Sequence, residues 1–194
     1  RIAAVPNALA PAGNGRGSFR IELRGLDGKT PLFDLFVLNS GLEWSLPADL
    51  EWFVEESTQL ENSRGEILPA MAFFHIPLEQ YERKRLVGDF SGIGPEEIMN
   101  WGDEEGVALE MLKEPGNIRA CFAGHNHRND FYCEVDDILL SLGRVTGYAG
   151  YEGDKIRKGA KLITLDARAN TFELKTVFPE GDDWQPDGPI AWKW

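Results

Sequence analysis

Hydrophobic and polar positions alternate from Phe19 to Leu23, where Phe19, Ile21 and Leu23 are separated by polar neighbours. That is the pattern of a half-buried strand. Leu26-Asp27-Gly28-Lys29 then reads as a turn with Asp-Gly at its centre. Leu32–Leu38 (LFDLFVL) is short and nearly all apolar, which predicts a strand buried on both faces. Leu50, Phe53, Val54 and Leu60 share one face of a helix that begins at Pro47, where a missing N–H costs nothing, and ends near Asn62. Residues 69–74 predict a second buried strand, with His75 at its end. Glycines and prolines among acids make 88–106 a loop with at most a short helix. Val107–Leu112 predicts a helix stopped by Pro115-Gly116. Ile118–Ala123 predicts a third buried strand, closed by Gly124-His125-Asn126-His127. Beyond it, Ile138–Leu142, Lys161–Leu165 and Phe172–Val177 read as strands joined by short turns.

This order predicts a mixed sheet with helices on its flanks, an α/β class. Residues 1–17, rich in Ala, Pro, Gly and Asn, read as a lead-in loop. Residues 18–177 form the body of the domain, and 178–194 a tail whose Trp184, Trp192 and Trp194 are expected to pack against it. No internal repeat occurs.

Composition narrows the function. The chain has 194 residues, with 20 Lys and Arg against 32 Asp and Glu, a net charge of −12. Gripping a nucleic-acid backbone rests on Lys and Arg, so a chain this acidic is a poor candidate for it and no such binding is expected. No run approaches the roughly 18 to 20 apolar residues of a membrane helix. Two cysteines cannot build a disulfide framework or a four-cysteine zinc site. Cys121 and Cys133 flank His127 symmetrically, so a hairpin turning there would oppose them. The intervening loop can shift that register, and free thiols are expected. The chain begins at Arg1 with no signal-like segment after it, which reads as a piece of something longer or a processed product. No Asn-x-Ser/Thr sequon is present, and the compartment is not legible.

The three histidines all follow strand-like segments. Ligands in layered α/β folds gather beyond the carboxyl ends of strands. In an extended chain His125 and His127 would share a side, with Cα atoms about 6 to 7 Å apart. Imidazoles so placed can meet at a metal ion, and Gly124 would let backbone approach closely. The plainer reading is three hydrogen-bonded polar residues. Asn129 and Asp130 either orient a ligand histidine or build a turn. Other signals are weak. Gly143, Gly147, Gly150 and Gly153 lack the Gly-Lys-Ser/Thr of a phosphate loop. Ser40 and Ser141 lack the setting of a hydrolase nucleophile. Glu96, Glu97, Asp103, Glu104 and Glu105 read as a solvated loop.

The pairing of FFHIP (residues 73–77) with GHNHRND (residues 124–130) resembles the last two sequence blocks of calcineurin-like metallophosphoesterases, in particular their purple-acid-phosphatase-like branch. The likeness continues through Ile138–Arg144, Thr146–Tyr148, Gly159–Ile163 and Phe172–Leu174, and upstream through LFVLNSG and the helix carrying Trp52-Phe53. It implies part of a four-layer α/β/β/α sandwich with two mixed sheets. It also implies two divalent or trivalent metal ions (Fe, Zn or Mn) and a phosphate-ester substrate. Carried over by position, His75 and His125 would bind one ion and His127 the other. The family's remaining ligands lie in three earlier blocks: Asp-x-His, Gly-Asp-x-x-Asp and Gly-Asn-His-Asp/Glu. None is present here, and Gly13-Asn14-Gly15-Arg16 is not the last of them. The resemblance therefore implies a missing N-terminal half of the same domain that carries the catalytic residues, and a chain silent by itself. Two other readings stand beside it: a mononuclear zinc hydrolase using His75, His125 and His127, and a metal-free binding or structural module.

Overall fold

The computed structural model describes residues 12–41, 47–96, 98, 106–149, 153–167, 169–184 and 190–191. Expectations placed on residues 1–11, Glu97, Asp103–Glu105, Gly150 and the tryptophan side chains of the tail lie outside them.

The elements in chain order are β1 (Ala12–Gly13), β2 (Phe19–Arg24), β3 (Pro31–Val37), α1 (Pro47–Arg64), β4 (Ala70–Phe73), α2 (Glu79–Val87) and β5 (Ser91–Ile93). They continue with α3 (Val107–Lys113), β6 (Ile118–Ala123), β7 (Asp130–Val135), β8 (Ile138–Leu142), β9 (Ala160–Asp166), β10 (Thr171–Val177), β11 (Asp183–Trp184) and β12 (Ile190–Ala191). The first sheet has the order β1-β2-β3-β4-β6-β8-β7-β5. Its centre, β3-β4-β6-β8, is parallel, and its outer pairings are antiparallel. In the second sheet β9, β11 and β12 all pair antiparallel with β10.

Strict alternation along the central strands explains why they read as continuous apolar runs. Phe36, Ala70, Ala72, Cys121, Leu140 and Leu142 point to one face and pack with Leu50 and Phe53 of α1 and Leu109 and Leu112 of α3. Phe33, Met71, Ala120, Phe122 and Leu139 point to the other and meet Phe172 and Leu174 of β10. A parallel strand covered on both sides has no polar face to display. Helices, a mixed sheet and an antiparallel sheet thus form three successive layers. The α1 contact is aromatic: Phe36 meets Phe53 edge-on at 4.8 Å and Trp52 at 6.1 Å. Such pairs add about 0.5 to 1.5 kcal/mol beyond their area.

Asp34, the acid within LFDLFVL, is 1% exposed. It accepts from Arg20 Nη1 (2.7 Å) and from Arg64 Nη1 (2.6 Å) and Nη2 (3.1 Å). Those two arginines reach on to Glu56 and Glu22. The last turn of α1 is thereby tied to β2 and β3.

Three features depart from the pattern reading. The segment EQYERKRLV forms α2, although it has almost no apolar period. Acids in its first turn and bases in its last suit the helix dipole. Arg83–Glu79 and Arg85–Glu82 pairs brace it, and Gly88 closes it in the left-handed conformation with φ 72°. The lead-in segment is also not only a loop, and the tail contributes strands. Their described parts add β1 to the first sheet and β11 and β12 to the second. Finally, β6 and β7 do not form a hairpin. β8 lies between them, and Cys121 and Cys133 each pair across from Leu140, on its two sides. Two strand spacings, about 9 to 10 Å, separate the cysteines. Both are buried free thiols, as expected.

Candidate metal centre

β4 and β6 are adjacent and parallel, so their carboxyl ends emerge side by side. Pairing continues past the strands: Phe74 N–H donates to Phe122 O (3.0 Å) and Gly124 N–H to His75 O (3.2 Å). Ser40 is buried, and its Oγ accepts from Ile76 N–H at 3.0 Å, which fixes the backbone just after His75. Its role is that of an anchor, not a nucleophile.

This arrangement joins two histidines 50 positions apart. His75 Nε2 lies 3.2 Å from His125 Nδ1, and the rings meet edge-on with centroids 5.1 Å apart. Gly124 faces His75, since a Cβ built there would sit 3.7 Å from His75 Nδ1. His75 is exposed, and His125 and His127 are half-buried, so the pair is open to a ligand. Burial and the neighbouring His75 and His127 hold the His125 imidazole below its usual range. The neutral ring is the form that binds a metal.

The geometry around His125 corrects the extended-chain expectation. β6 ends at Ala123, whose carbonyl accepts from Gly143 N–H at 2.9 Å. Asn126 N–H then bonds Gly124 O at 2.9 Å, and His125 between them has φ 72°. This is a γ-turn with a non-glycine residue in a left-handed conformation, a strained state that surroundings must hold. His125 and His127 are therefore not alternate residues of a strand. His127 stands near His125 but does not complete a three-ligand cluster. Among the described residues no three His, Cys, Asp or Glu side chains gather closely enough to hold an ion.

The residues present can be tested against the metals that the resemblance implies. Bonds of about 2.0 to 2.1 Å to one tetrahedral ion put two imidazole nitrogens about 3.3 Å apart. The 3.2 Å separation of His75 Nε2 and His125 Nδ1 fits two ligands of one ion. A two-ion centre does not fit the described residues, because no carboxylate stands between the rings to offset the repulsion of two cations.

Asn129 and Asp130 sit behind the histidine loop and bond to Glu96, Arg144, Lys161 and Thr176. Asn129 is fully buried; its Oδ1 accepts from Glu96 N–H and its Nδ2 donates to Glu96 O, both at 2.9 Å. Glu96 also pairs with Arg128 (3.3 Å), so this part of the acidic stretch is a brace for the loop as well as a solvated one. Asp130 pairs with Arg144 (2.9 Å) and with Lys161, and accepts from Thr176 Oγ1 (3.0 Å). Burial holds the Lys161 ammonium below its usual range, against the pull of Asp130. The Gly143 amide is engaged by Ala123 O, so that glycine offers no anion cradle. Sequence reasoning missed Arg144 and Lys161. Their only signal was a place in the segments ILLSLGR and GAKLI that carry the family likeness.

The fold is similar to part of a solved phosphatase structure. The chain superposes on a dimetal phosphatase from Danio rerio with a TM-score of 0.53 and 11% identity, covering 91% of this chain and 60% of that one. Among curated proteins it is similar to three from Arabidopsis thaliana. It is 29% identical to probable inactive purple acid phosphatase 28 (77% of this chain, 41% of the relative). It is 24% identical to probable inactive purple acid phosphatase 29 (85% and 50%) and 23% identical to probable inactive purple acid phosphatase 14 (77% and 45%). The chain spans about half the length of these relatives or somewhat less. No family model matches it. The chain thus resembles the purple-acid-phosphatase-like branch of the calcineurin-like metallophosphoesterases.

Proposed function

We propose that this chain supplies the histidine side of a metal-dependent phosphoesterase centre and is catalytically silent alone. The carrying observation is the 3.2 Å approach of His75 Nε2 to His125 Nδ1 at the joined ends of two parallel strands. Two neutral imidazoles can hold one ion weakly. Bound divalent ions would act as Lewis acids on a phosphate ester. Within this chain, His75 and His125 would hold one ion and His127 would face the second. Carboxylates from beyond these residues would complete the set.

The test is a zinc titration followed by histidine ring resonances, with a generic phosphate monoester as substrate. We expect weak binding of at most one ion, lost in His75→Ala, and no hydrolysis. Joining a segment that carries the missing carboxylate blocks should produce hydrolysis that His127→Ala abolishes. Robust metal-dependent hydrolysis by the 194 residues alone would overturn the reading in favour of a self-contained zinc site. Absence of any zinc response at His75 and His125, with or without that segment, favours a metal-free module. The "inactive" in the relatives' names makes that arm worth running.

A further inference from the structure

We propose that Arg144 is a positioning residue for the His125–His127 loop, acting through its buried ion pair with Asp130. Only its consequence for metal binding rests on the function proposed above.

The residues on either side of Arg144 hold both ends of the loop. Gly143 N–H donates to Ala123 O (2.9 Å), just before the turn, and Val145 N–H donates to His127 O (3.2 Å). Between these two bonds the Arg144 side chain turns inward. Its Nε lies 2.9 Å from Asp130 Oδ2, with the two side chains 7% and 2% exposed. Asp130 is the first residue of β7, three positions after His127, so one ion pair joins the strap at 143–145 to the far end of the loop.

The second sheet locks this pair in place. Lys161 of β9 pairs with the same carboxylate, and Thr176 of β10 donates to it at 3.0 Å. The Arg144 guanidinium also donates to Arg157 O (3.2 Å) and lies over the Phe178 ring at 5.1 Å. One carboxylate facing two buried cations has no cheap alternative arrangement, because releasing it would strand both charges. The strained turn at His125, with φ 72°, needs such an outside constraint. A continuous path of ion pairs and hydrogen bonds therefore runs from the second sheet through Asp130 and the backbone around Arg144 to the carbonyls of Ala123 and His127.

The experiment uses the full 194-residue chain. It measures hydrogen exchange of the Asn126 amide and the ring-to-ring cross-peak between His75 and His125. Arg144→Met and Arg144→Lys are compared with Thr176→Val, which removes a different bond to Asp130 and leaves the strap alone. We expect both Arg144 variants to lose Asn126 protection by about tenfold or more while amides of β4 and α1 stay protected. Thr176→Val should keep both signals. If Arg144→Met does not fold, Arg144→Lys decides, since it keeps the charge and loses the guanidinium that reaches both Asp130 and Arg157 O. Retention of both signals in a folded Arg144 variant overturns the proposal. So does an equal loss in Thr176→Val, or collapse of the whole fold in Arg144→Lys, because either makes Arg144 a general strut. Zinc provides a separate arm: where the parent binds, Arg144→Met should weaken affinity about 10- to 100-fold. A parent that ignores zinc counts against the metal reading and leaves the exchange result to judge this one.

Discussion

Raising the pH should destabilise this protein through its two thiols. Cys121 and Cys133 are 0% and 4% exposed. Burial pushes the Cys133 thiol from 9.0 up to about 12, with Lys84 pulling weakly the other way. Burial pushes Cys121 higher still, and the Tyr81 hydroxyl is raised by burial and by both neighbouring sulfurs. Each group keeps its proton in the fold at pH values where the unfolded chain loses it. Their stabilising contribution is complete below about pH 8.5 and is lost as pH climbs. For Cys133 the gap from 9.0 to about 12, at about 1.4 kcal/mol per pH unit, comes to about 4 kcal/mol. Cys121 adds a parallel loss. Set against a total stability of about 5 to 15 kcal/mol, these two groups remove a large part of it as the pH approaches 12. Urea midpoints followed by near-UV circular dichroism from pH 7 to 11 would show the fall beginning near pH 9. In Cys133→Ala the slope should flatten by about 1.4 kcal/mol per pH unit. An unchanged slope, or rapid labelling of either thiol in the native protein at pH 8, would refute the reasoning.

Other substitutions test separate parts of the fold. Asp34→Ala should cost about 3 kcal/mol by chemical denaturation, because it removes the most buried partner of Arg20 and Arg64, whose side chains are 12% and 11% exposed, and leaves them only the half-buried Glu56 and Glu22. Asp34→Asn should recover part of that loss. Asp136 and Asp137 form the two-residue turn between β7 and β8 with φ of 50° and 64°, so Asp137→Gly should stabilise the protein by up to about 1 kcal/mol. A lowered midpoint would show that the aspartate makes a contact that outweighs its backbone strain. Gly92 has φ 121° and sits so close to β7 that a Cβ would fall 2.4 Å from Asp130 O. Gly92→Ala should detach β5 and raise exchange at the β7 amides that face it, while leaving β4 and β6 protected.

The central strands were legible in the sequence because burial on two faces leaves an unmistakable apolar run. Leu32–Leu38, residues 69–74, Ile118–Ala123 and Ile138–Leu142 all fall where the pattern puts them. α2 was not legible, since its stability comes from end charges, ion pairs and the Gly88 cap, and only Tyr81 and Glu82 are buried. β7 was hidden by two aspartates in a positive-φ turn where Asn-Gly would have announced a hairpin. At the candidate site, the meeting of His75 with His125 followed from strand-end reasoning plus family likeness. The disposition of His127 did not, because spacing arguments assume an extended chain and the bond from Asn126 N–H to Gly124 O bends it. Arg144, Lys161 and Glu96 were illegible for a different reason: their ion-pair partners lie 14 to 32 positions away, and side-chain charge carries no periodic signature.

The insertion of β8 between β6 and β7 sets an order for assembly. β7 and β8 are joined by a two-residue turn, so they can zip together by local search on a timescale of about 1 to 10 μs. β6 pairs with β8 in parallel, Ala120 against Leu139, and so must close a longer loop than the β7-β8 turn, which places it after the hairpin. The histidine loop spans that late step: it arches over the end of β8 and becomes taut only when β8 docks against β6. Changes in the Asp136-Asp137 turn should therefore alter the folding rate, whereas changes at His125 or Arg144 should mainly alter the unfolding rate. A stopped-flow comparison of Asp137→Gly with Arg144→Lys would read this directly, and a slowed folding limb in Arg144→Lys would reverse the order. On this account the ends of β4 and β6 close over their histidines as one of the last acts of folding and open as one of the first of unfolding.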